Sequence, residues 1–378
     1  MNMNRTANRN RNTRSGLSYV YVSYVSNNNN GYVAVIDPTT DEIKKRISTG
    51  RSPAAMCLSP SGDKLFVADD LGNVVFVYST DDFRYLGGIP VGNKPAAILI
   101  EPSGKFGFVA NYGEASVTFF DPITLKVLGS FNLKKYGTPF AIACNENNPF
   151  VSVAGKGFSP IPDFVVYFNM IENGYGNSST HAKERVYDPT HNPLTVRPNG
   201  QTLVELANIG FVDFINGLNS SFNTTSLLDN TVSGVYLDNG LLFCTMREER
   251  EILKVFKNLN TDANGNITYD YFKEIPSYKG QDKIRASLTQ KYIGVTVQAY
   301  DSPLGGLQII DVDHLSSRFL TLASTGDLAF FSDTKAYVGG FNSVQPIDLI
   351  NARPLEEISI GTVYFRVKNV ICGYSNQT

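Results

Sequence analysis

The sequence of 378 residues has no tryptophan, only three histidines and only four cysteines. With so few imidazoles, enzymes that hold copper clusters or haem through several histidines are excluded. No two cysteines form a Cys-x-x-Cys pair, so a zinc cage of thiolates is not indicated. We expect the cysteines to be buried free thiols in the core. They are Cys57, Cys144, Cys244 and Cys372.

Charge and long apolar segments are also scarce. Charged residues make up 18% of the chain and the formal net charge is −2, so no strong field draws the whole chain to nucleic acid or to a membrane. No run of about 18 apolar residues is present, and the N-terminus lacks the apolar segment of a secretory signal. These absences predict a protein that is cytoplasmic or assembled onto a particle without Sec export, with no membrane insertion.

What the sequence does contain is a repeat. A short motif that begins with Val recurs at intervals of 42, 42 and 44 residues, at Val25-Ser26-Asn27, Val67-Ala68-Asp69, Val109-Ala110-Asn111 and Val153-Ala154-Gly155. Gly50 and Gly92, and likewise Pro53 and Pro95, are also 42 residues apart. A fixed period in the low forties, made of short apolar strands, is typical of β-propeller blades. The sequence therefore predicts an all-β fold, a single propeller of four-stranded blades.

The repeat also resembles a known family. An aromatic strand ending in Val-Ser-Asn, a strand ending in Ile-Asp, a Gly-x-x-Pro link and a Ser-Pro-x-Gly turn resemble the YVTN repeats of surface-layer-type β-propellers. The matching residues are Tyr24-Val25-Ser26-Asn27, Val33-Ala34-Val35-Ile36-Asp37, Gly50-Arg51-Ser52-Pro53 and Ser59-Pro60-Ser61-Gly62. The resemblance covers about residues 17–155 and implies seven blades. Counting first strands, near residues 53, 95, 139, 193, 232, 283, 326 and 363, gives eight. Both numbers stay open.

The two ends of the chain have distinct predicted roles. Residues 1–16 carry four arginines among asparagine and threonine, with no acidic residue, and are predicted to be a disordered basic tail. Residues 17–378 form the propeller, with an insertion at about 170–190. The N-terminal blade lacks a first strand, and we predict that residues 364–372 supply it beside Tyr21, which closes the ring.

The predicted binding residues lie on one face of the propeller. Loops after each second strand should lie beside the links between blades, and aromatic residues and arginine on such loops can anchor a partner. The candidates are Arg51, Asp69, Asp70, Lys94, Asn111, Tyr112, Lys156, Phe158, Tyr300, Asp301, Phe341 and Asn342. Asn27, Asp69 and Asn111 also have a structural interpretation, because Asp and Asn side chains cap the turns that follow them.

One segment has the oxygen spacing of a calcium loop. Its candidate ligands are Asn260, Asp262 and Asn264, at alternate positions before a glycine turn. Tyr271 stands where a bidentate Glu belongs, and an Asn- and Gly-rich connection between two outer strands explains the segment equally well. Calcium at this loop is therefore the one cofactor considered, against the expectation of none.

The sequence is compatible with three functions. No Gly-x-Ser-x-Gly nucleophile motif and no P-loop appear, which favours a non-catalytic scaffold that presents one propeller face to a protein or glycan. The alternative is a lactonase-like enzyme, which would hold a divalent cation with Asp69, Asp70, Glu114 and Asp301. The third is a structural subunit of a spore, surface-layer or virion particle. Nucleic acid is expected to bind only through the basic tail.

Overall fold

A computed structural model describes thirteen segments of the chain. They are residues 18–144, 150–158, 163–169, 179–182, 194–196, 202–205, 210–215, 219–224, 231–246, 251–261, 267–299, 305–361 and 367–373. The strands within them form eight antiparallel sheets, seven of four strands and one of five. The predicted tail, residues 1–16, lies outside the described residues.

The first four sheets are numbered from the N-terminus as blades 1 to 4. Blade 1 contains β1 (Val20–Val25), β2 (Gly31–Asp37), β3 (Glu42–Ser48) and the C-terminal β33 (Asn369–Cys372). Blade 2 contains β4 (Pro53–Leu58), β5 (Lys64–Asp69), β6 (Val74–Ser79) and β7 (Tyr85–Pro90). Blade 3 contains β8 (Pro95–Ile100), β9 (Gly107–Asn111), β10 (Ser116–Phe120) and β11 (Val127–Asn132). Blade 4 contains β12 (Gly137–Ala143), β13 (Phe150–Gly157), β14 (Phe164–Asn169) and β15 (Ser179–Ala182).

The remaining sheets are blades 5 to 8. Blade 5 contains β16 (Leu194–Val196), β17 (Thr202–Glu205), β18 (Gly210–Ile215) and β19 (Asn219–Thr224). Blade 6 contains β20 (Thr231–Tyr236), β21 (Leu242–Met246), β22 (Ile252–Thr261) and β23 (Ile267–Pro276). Blade 7 contains β24 (Gln281–Ala286), β25 (Tyr292–Val297), β26 (Gly306–Asp311) and β27 (Ser316–Thr321). Blade 8 contains β28 (Leu328–Phe330), β29 (Lys335–Gly339), β30 (Ser343–Asp348) and two short outer pieces, β31 (Arg353–Pro354) and β32 (Ile358–Ser359).

The first strands of the eight blades form the inner ring. In chain order β4, β8, β12, β16, β20, β24, β28 and β33 each contact the next, and β33 contacts β4, so the sheets close into a propeller. Seven of the predicted first-strand starts lie within two residues of the observed ones, and the last strand begins at 369 rather than 363. The described strands thus form seven four-stranded blades, the number that the family resemblance implies, together with the five-stranded sheet that contains β28, and each of the eight counted first strands has a sheet of its own.

The C-terminal strand completes the N-terminal blade, as predicted. In the antiparallel ladder between β1 and β33, Tyr21 pairs with Ile371 and Val22 pairs with Val370. Backbone hydrogen bonds continue at both ends, from the Lys368 amide to the Ser23 carbonyl (3.0 Å) and from the Gly373 amide to the Tyr19 carbonyl (3.1 Å). The pairing removes the open edge that blade 1 would otherwise present. The start of the predicted closing segment, 364–366, lies outside the described residues.

Neighbouring blades pack through aromatic side chains. Phe66 of blade 2 and Phe120 of blade 3 have ring centroids 5.9 Å apart, and both side chains are fully buried. Within blade 3 the Phe120 ring lies over Gly107, where an added Cβ would come within 2.2 Å of the ring. The second strands β5 and β9 are almost entirely buried. Because both faces of these strands are covered, their apolar residues are consecutive and do not alternate with polar ones.

The predicted insertion is partly a regular strand. Residues 179–182 form β15, which pairs with β14 through Phe164 opposite Ala182. These four residues are therefore the outer strand of blade 4 and not inserted sequence. The rest of the predicted insertion, 170–178 and 183–190, lies outside the described residues.

The four cysteines, all of them in the described part of the chain, are free. Cys144, Cys244 and Cys372 are buried and Cys57 is half-buried, as expected for thiols that fill small core positions. Desolvation by the surrounding apolar side chains raises the pKa of the Cys57 thiol to about 12. Burial also raises the pKa of the other three thiols above its ordinary value, so all four are protonated at neutral pH.

Candidate binding face

The antiparallel order of each blade brings two kinds of loop to one side of the propeller. The chain leaves that side along a first strand and returns along the second, so the loops after second strands lie beside the links between blades. We call this side the loop face. In the best described blades its loops are residues 26–30, 70–73, 112–115 and 340–342, and its links are residues 49–52 and 91–94.

The predicted binding residues divide by exposure. Ten of the twelve lie within the described segments, and Tyr300 and Asp301 lie outside them. The exposed ones are Arg51, Lys94, Tyr112, Phe158 and Phe341. Asp70, Lys156 and Asn342 are half-buried, whereas Asp69 and Asn111 are fully buried. The last two therefore do not belong to the exposed surface, although the sequence placed them in the same set.

The buried Asp69 carboxylate accepts hydrogen bonds from both the link before blade 2 and the loop after β5. Its Oδ2 accepts a hydrogen bond from the Arg51 amide at 2.8 Å, and its Oδ1 accepts one from the Ser52 amide at 2.9 Å. Oδ1 also accepts from the Leu71 and Gly72 amides at 3.1 and 3.2 Å. The predicted capping of the following turn is confirmed at this position, and the carboxylate anchors the preceding link as well.

In blade 3 a different side chain binds the amide of the preceding link. The Asn111 amide nitrogen donates to the hydroxyls of Ser116 (3.0 Å) and Thr118 (2.8 Å), so its side chain is directed along the blade. The Asn93 amide of the link donates instead to Glu114 Oε2, at 3.2 Å. Capping by the residue 42 positions after Asp69 is therefore wrong for blade 3, because the anchoring carboxylate has moved to Glu114.

Exposed apolar side chains recur on the loop face. Leu71, Tyr112, Phe158 and Phe341 are 52%, 39%, 45% and 56% exposed. They belong to the loops of blades 2, 3, 4 and 8, which with blade 1 form five consecutive blades of the ring. Among the other large apolar side chains exposed in the described segments, five lie on outer strands and two, Ile123 and Ile350, lie on the opposite face. The loop face thus carries three of the exposed aromatic rings.

Basic side chains accompany these apolar residues. Arg51 and Lys94 are exposed, and Arg51 donates to the Leu71 carbonyl at 3.0 Å. Lys156 lies 2.9 Å from Asp163 in an ion pair whose carboxylate is nearly buried, so its charge is largely balanced. Leu71 was absent from the predicted set, although an apolar residue inside the polar turn Asp69-Asp70-Leu71-Gly72-Asn73 is a signal that could have identified it.

A cavity of about 500 Å³ opens on the loop face between blades 8 and 1. Tyr24 and Tyr32 form one wall, with ring centroids 5.6 Å apart and planes inclined by 23°. Arg46 and Asn342 also line the cavity, and Arg46 donates to the Ile360 carbonyl at 3.3 Å. Burial raises the pKa of Tyr24, and the neighbouring Arg46 guanidinium partly opposes that shift.

Of the predicted residues, the cavity contains only Asn342. Tyr24 and Tyr32 are a directly opposed cross-strand pair of the β1–β2 hairpin. Cross-strand aromatic pairs are recognisable from hairpin spacing, so this pair could have been predicted from the sequence. Its other side comes from blade 8 and depends on how the ring closes.

Two of the three predicted calcium ligands lie outside the described residues. Across the described segments, no group of three or more His, Cys, Asp or Glu side chains could hold a metal ion. Asn260 lies in β22 and pairs with Thr268, while Asp262 and Asn264 lie outside the described residues. The calcium loop therefore stays a prediction. Asp69 and Glu114, named for a lactonase-like cation site, instead bind link amides in two different blades.

The fold and this face define the class: the chain is an all-β propeller, as the repeat predicted. No family model and no curated protein sequence matches it at a significant level. It is similar to solved structures. One is the dihydro-haem d1 dehydrogenase NirN in complex with DHE (TM-score 0.69, 12% identity), covering 94% of this chain and 75% of that one.

Two further structures extend the comparison. Apo AztD from Citrobacter koseri has a TM-score of 0.66 at 13% identity, with 94% of this chain and 97% of that chain covered. The Cps50 (Swd1) β-propeller domain of Myceliophteria thermophila has a TM-score of 0.55 at 13% identity, with 79% and 96% covered. At such low identity these likenesses establish the propeller fold and nothing finer. No helix in the described part of the chain is long and apolar enough to span a membrane.

Proposed function

We propose that this chain is a non-catalytic binding module that docks a partner protein on its loop face, across blades 8, 1, 2, 3 and 4. The observation that carries the proposal is the recurrence of exposed Leu71, Tyr112, Phe158 and Phe341 on successive loops. Exposed aromatic side chains on loops held by a rigid scaffold are typical of interface anchors. Arg51 and Lys94 beside them supply charge at the rim, which guides orientation more than affinity.

The two alternative functions are less well supported. A lactonase-like site needs carboxylates that converge on a cation, and two of its four candidates, Asp69 and Glu114, are occupied by backbone amides. A structural role in a spore, surface-layer or virion particle depends on the arginine tail. Size-exclusion chromatography with and without residues 1–16 distinguishes this role, because assembly through the tail requires a larger species that the truncation abolishes.

We also propose that blades 1 to 3 are YVTN-type repeats. Pro53 pairs with Asp69 in blade 2, and Pro95 pairs with Asn111 in blade 3, so the two blades share register at the 42-residue spacing. In both blades the register shifts at the next step, between Pro53 and Ala55 and between Pro95 and Ala97. Sequences of homologues test the assignment, which requires Gly-x-x-Pro links at the same spacing.

The docking proposal predicts which surface variants lose the partner. We expect the triple change Tyr112→Ser, Phe158→Ser and Phe341→Ser to reduce partner recovery from the native source at least about tenfold, because aromatic anchors dominate interface energies. The measurement is a quantitative pull-down with the full chain as bait, normalised to the wild type.

A matched control lies on the opposite face. Ile123 and Ile350 are 72% and 61% exposed, so the double change Ile123→Ser and Ile350→Ser alters exposed apolar surface without touching the loop face. We expect this variant to retain wild-type recovery, and both variants to melt near the wild-type temperature. Equal recovery by the loop-face variant and wild type, or equal loss by both variants, would contradict docking on the loop face.

A further inference from the structure

The cavity between blades 8 and 1 has the composition of a sugar site. Its wall is the Tyr24–Tyr32 pair, in which Tyr24 is 7% exposed and Tyr32 is half-buried. The accessible flat surface is therefore that of Tyr32, and such a surface suits the apolar C–H face of a pyranose ring. Its rim carries the carboxamides of Asn27, Asn28 and Asn342. A carboxamide carries both donors and an acceptor, the combination that a row of hydroxyl groups needs, and the Asn28 oxygen also accepts a hydrogen bond from the Ser26 hydroxyl. The volume of about 500 Å³ lies within the range of small-molecule sites.

The charge of the cavity selects an anion. Among the described residues that line it, Arg46 is the one ionisable cation and none is acidic. Arg46 donates to the Ile360 carbonyl and also interacts with the Tyr24 hydroxyl, whereas a guanidinium has five N–H donors in a planar fork. That fork matches a carboxylate better than it matches a neutral hydroxyl.

We propose that this cavity binds a carboxylated sugar, with the uronic acid carboxylate on Arg46 and the sugar ring against Tyr32, which Tyr24 supports from behind. The inference goes beyond the docking of a protein, because it assigns a separate small-molecule site at the junction that closes the ring. Purified protein and a defined sugar suffice to test it, so its failure and the failure of protein docking are independent results.

The test compares two sugars that differ in charge. Isothermal titration calorimetry of the full chain with a trisaccharide of galacturonic acid is compared with the trisaccharide of galactose, in which each carboxylate is replaced by an alcohol. We expect the acidic trisaccharide to bind about tenfold more tightly or better, as a charge-assisted hydrogen bond to Arg46 requires. The advantage shrinks at high salt, because the cavity is open to solvent.

Variants on one strand supply the matched control. Arg46 is opposite Ala34 on the side of β3 that faces blade 8, whereas Lys45 is opposite Val35 on the other side. We expect Arg46→Ala to remove the preference for the acidic sugar and Lys45→Ala to leave it unchanged. Asn342 has a positive φ of 60°, so Asn342→Gly keeps the backbone conformation while weakening both sugars equally.

Four outcomes would overturn the proposal. They are binding of neither trisaccharide, equal affinity for both, equal loss of preference in Lys45→Ala and Arg46→Ala, and an inorganic phosphate affinity as high as that of the acidic sugar. The last would identify a general anion site on Arg46 without a role for the tyrosine wall. A tenfold preference that depends on Arg46 and not on Lys45 supports the assignment.

Discussion

Deletion of residues 367–378 is expected to abolish the cooperative unfolding transition or to lower the melting temperature by more than about 10 °C. The deletion removes β33, the inner strand of blade 1. Val370 and Cys372 are at most 1% exposed and belong to the cluster that also contains Val20 and Val22 of β1. Burying each large apolar side chain contributes about 1.5–3 kcal/mol, and a whole domain is stable by only about 5–15 kcal/mol.

The truncation should also change the state of association. Without β33 the backbone of β1 becomes an unpaired edge, which is a template for strand addition between molecules. Deletion of residues 374–378 is the matched control, because it keeps β33 and the hydrogen bond from the Gly373 amide to the Tyr19 carbonyl. We expect a monomeric, cooperatively melting control and an aggregating longer truncation in calorimetry and light scattering. Identical melting of the two truncations would exclude the closing role of β33.

Replacement of Asp69 by alanine is expected to cost about 3–5 kcal/mol of unfolding free energy. The carboxylate accepts four backbone hydrogen bonds, two from the link and two from the loop, and the residue is 1% exposed. A hydrogen bond to a charged group contributes about 1.5–3 kcal/mol, and a buried donor left without its acceptor carries a further desolvation penalty. Partial access of water to the link keeps the total below the sum of four such bonds. Urea unfolding of the variant measures the difference.

Two other variants test whether the effect depends on the negative charge of Asp69 and on its position in the turn. Asp69→Asn keeps one acceptor oxygen, so we expect an intermediate loss of about 1–2 kcal/mol. The adjacent Asp70 is half-buried, and its Oδ1 has no hydrogen-bond partner among the described residues. Asp70→Ala should therefore change stability by less than about 1 kcal/mol. A loss in Asp69→Ala no larger than that in Asp70→Ala would mean that the carboxylate does not anchor the link.

The architecture was predictable from sequence where the repeat is intact. The 42-residue step between blades 2 and 3 fixes their strand starts at Pro53 and Pro95, because a proline at the start of an inner strand needs no ladder hydrogen bond. The closing strand was predictable for a different reason. Blade 1 begins at its second strand, so an unpaired edge beside Tyr21 requires a partner from elsewhere in the chain.

The sequence was less informative where the same structural role is carried by different positions in different blades. Glu114 took over the anchoring role of Asp69 three residues away from the aligned Asn111, which a fixed repeat spacing cannot reveal. Residues 179–182 were assigned to an insertion because the next first strand was placed near residue 193, yet they complete blade 4. The cavity joins Arg46 to Ile360, which are 314 residues apart, so its shape depends on ring closure and not on local sequence.

Hydrogen–deuterium exchange of the segment 367–373, read by mass spectrometry on the full chain, tests the closed ring most directly. If β33 is the inner strand of blade 1, its amides should be protected to the same degree as those of β4, Pro53–Leu58, the inner strand of blade 2, which also has a ladder partner on one side only. Protection should extend to β1, its partner in the ladder. Exchange of 367–373 at the rate of an unstructured peptide, with β4 still protected, would contradict a propeller closed by its C-terminal strand.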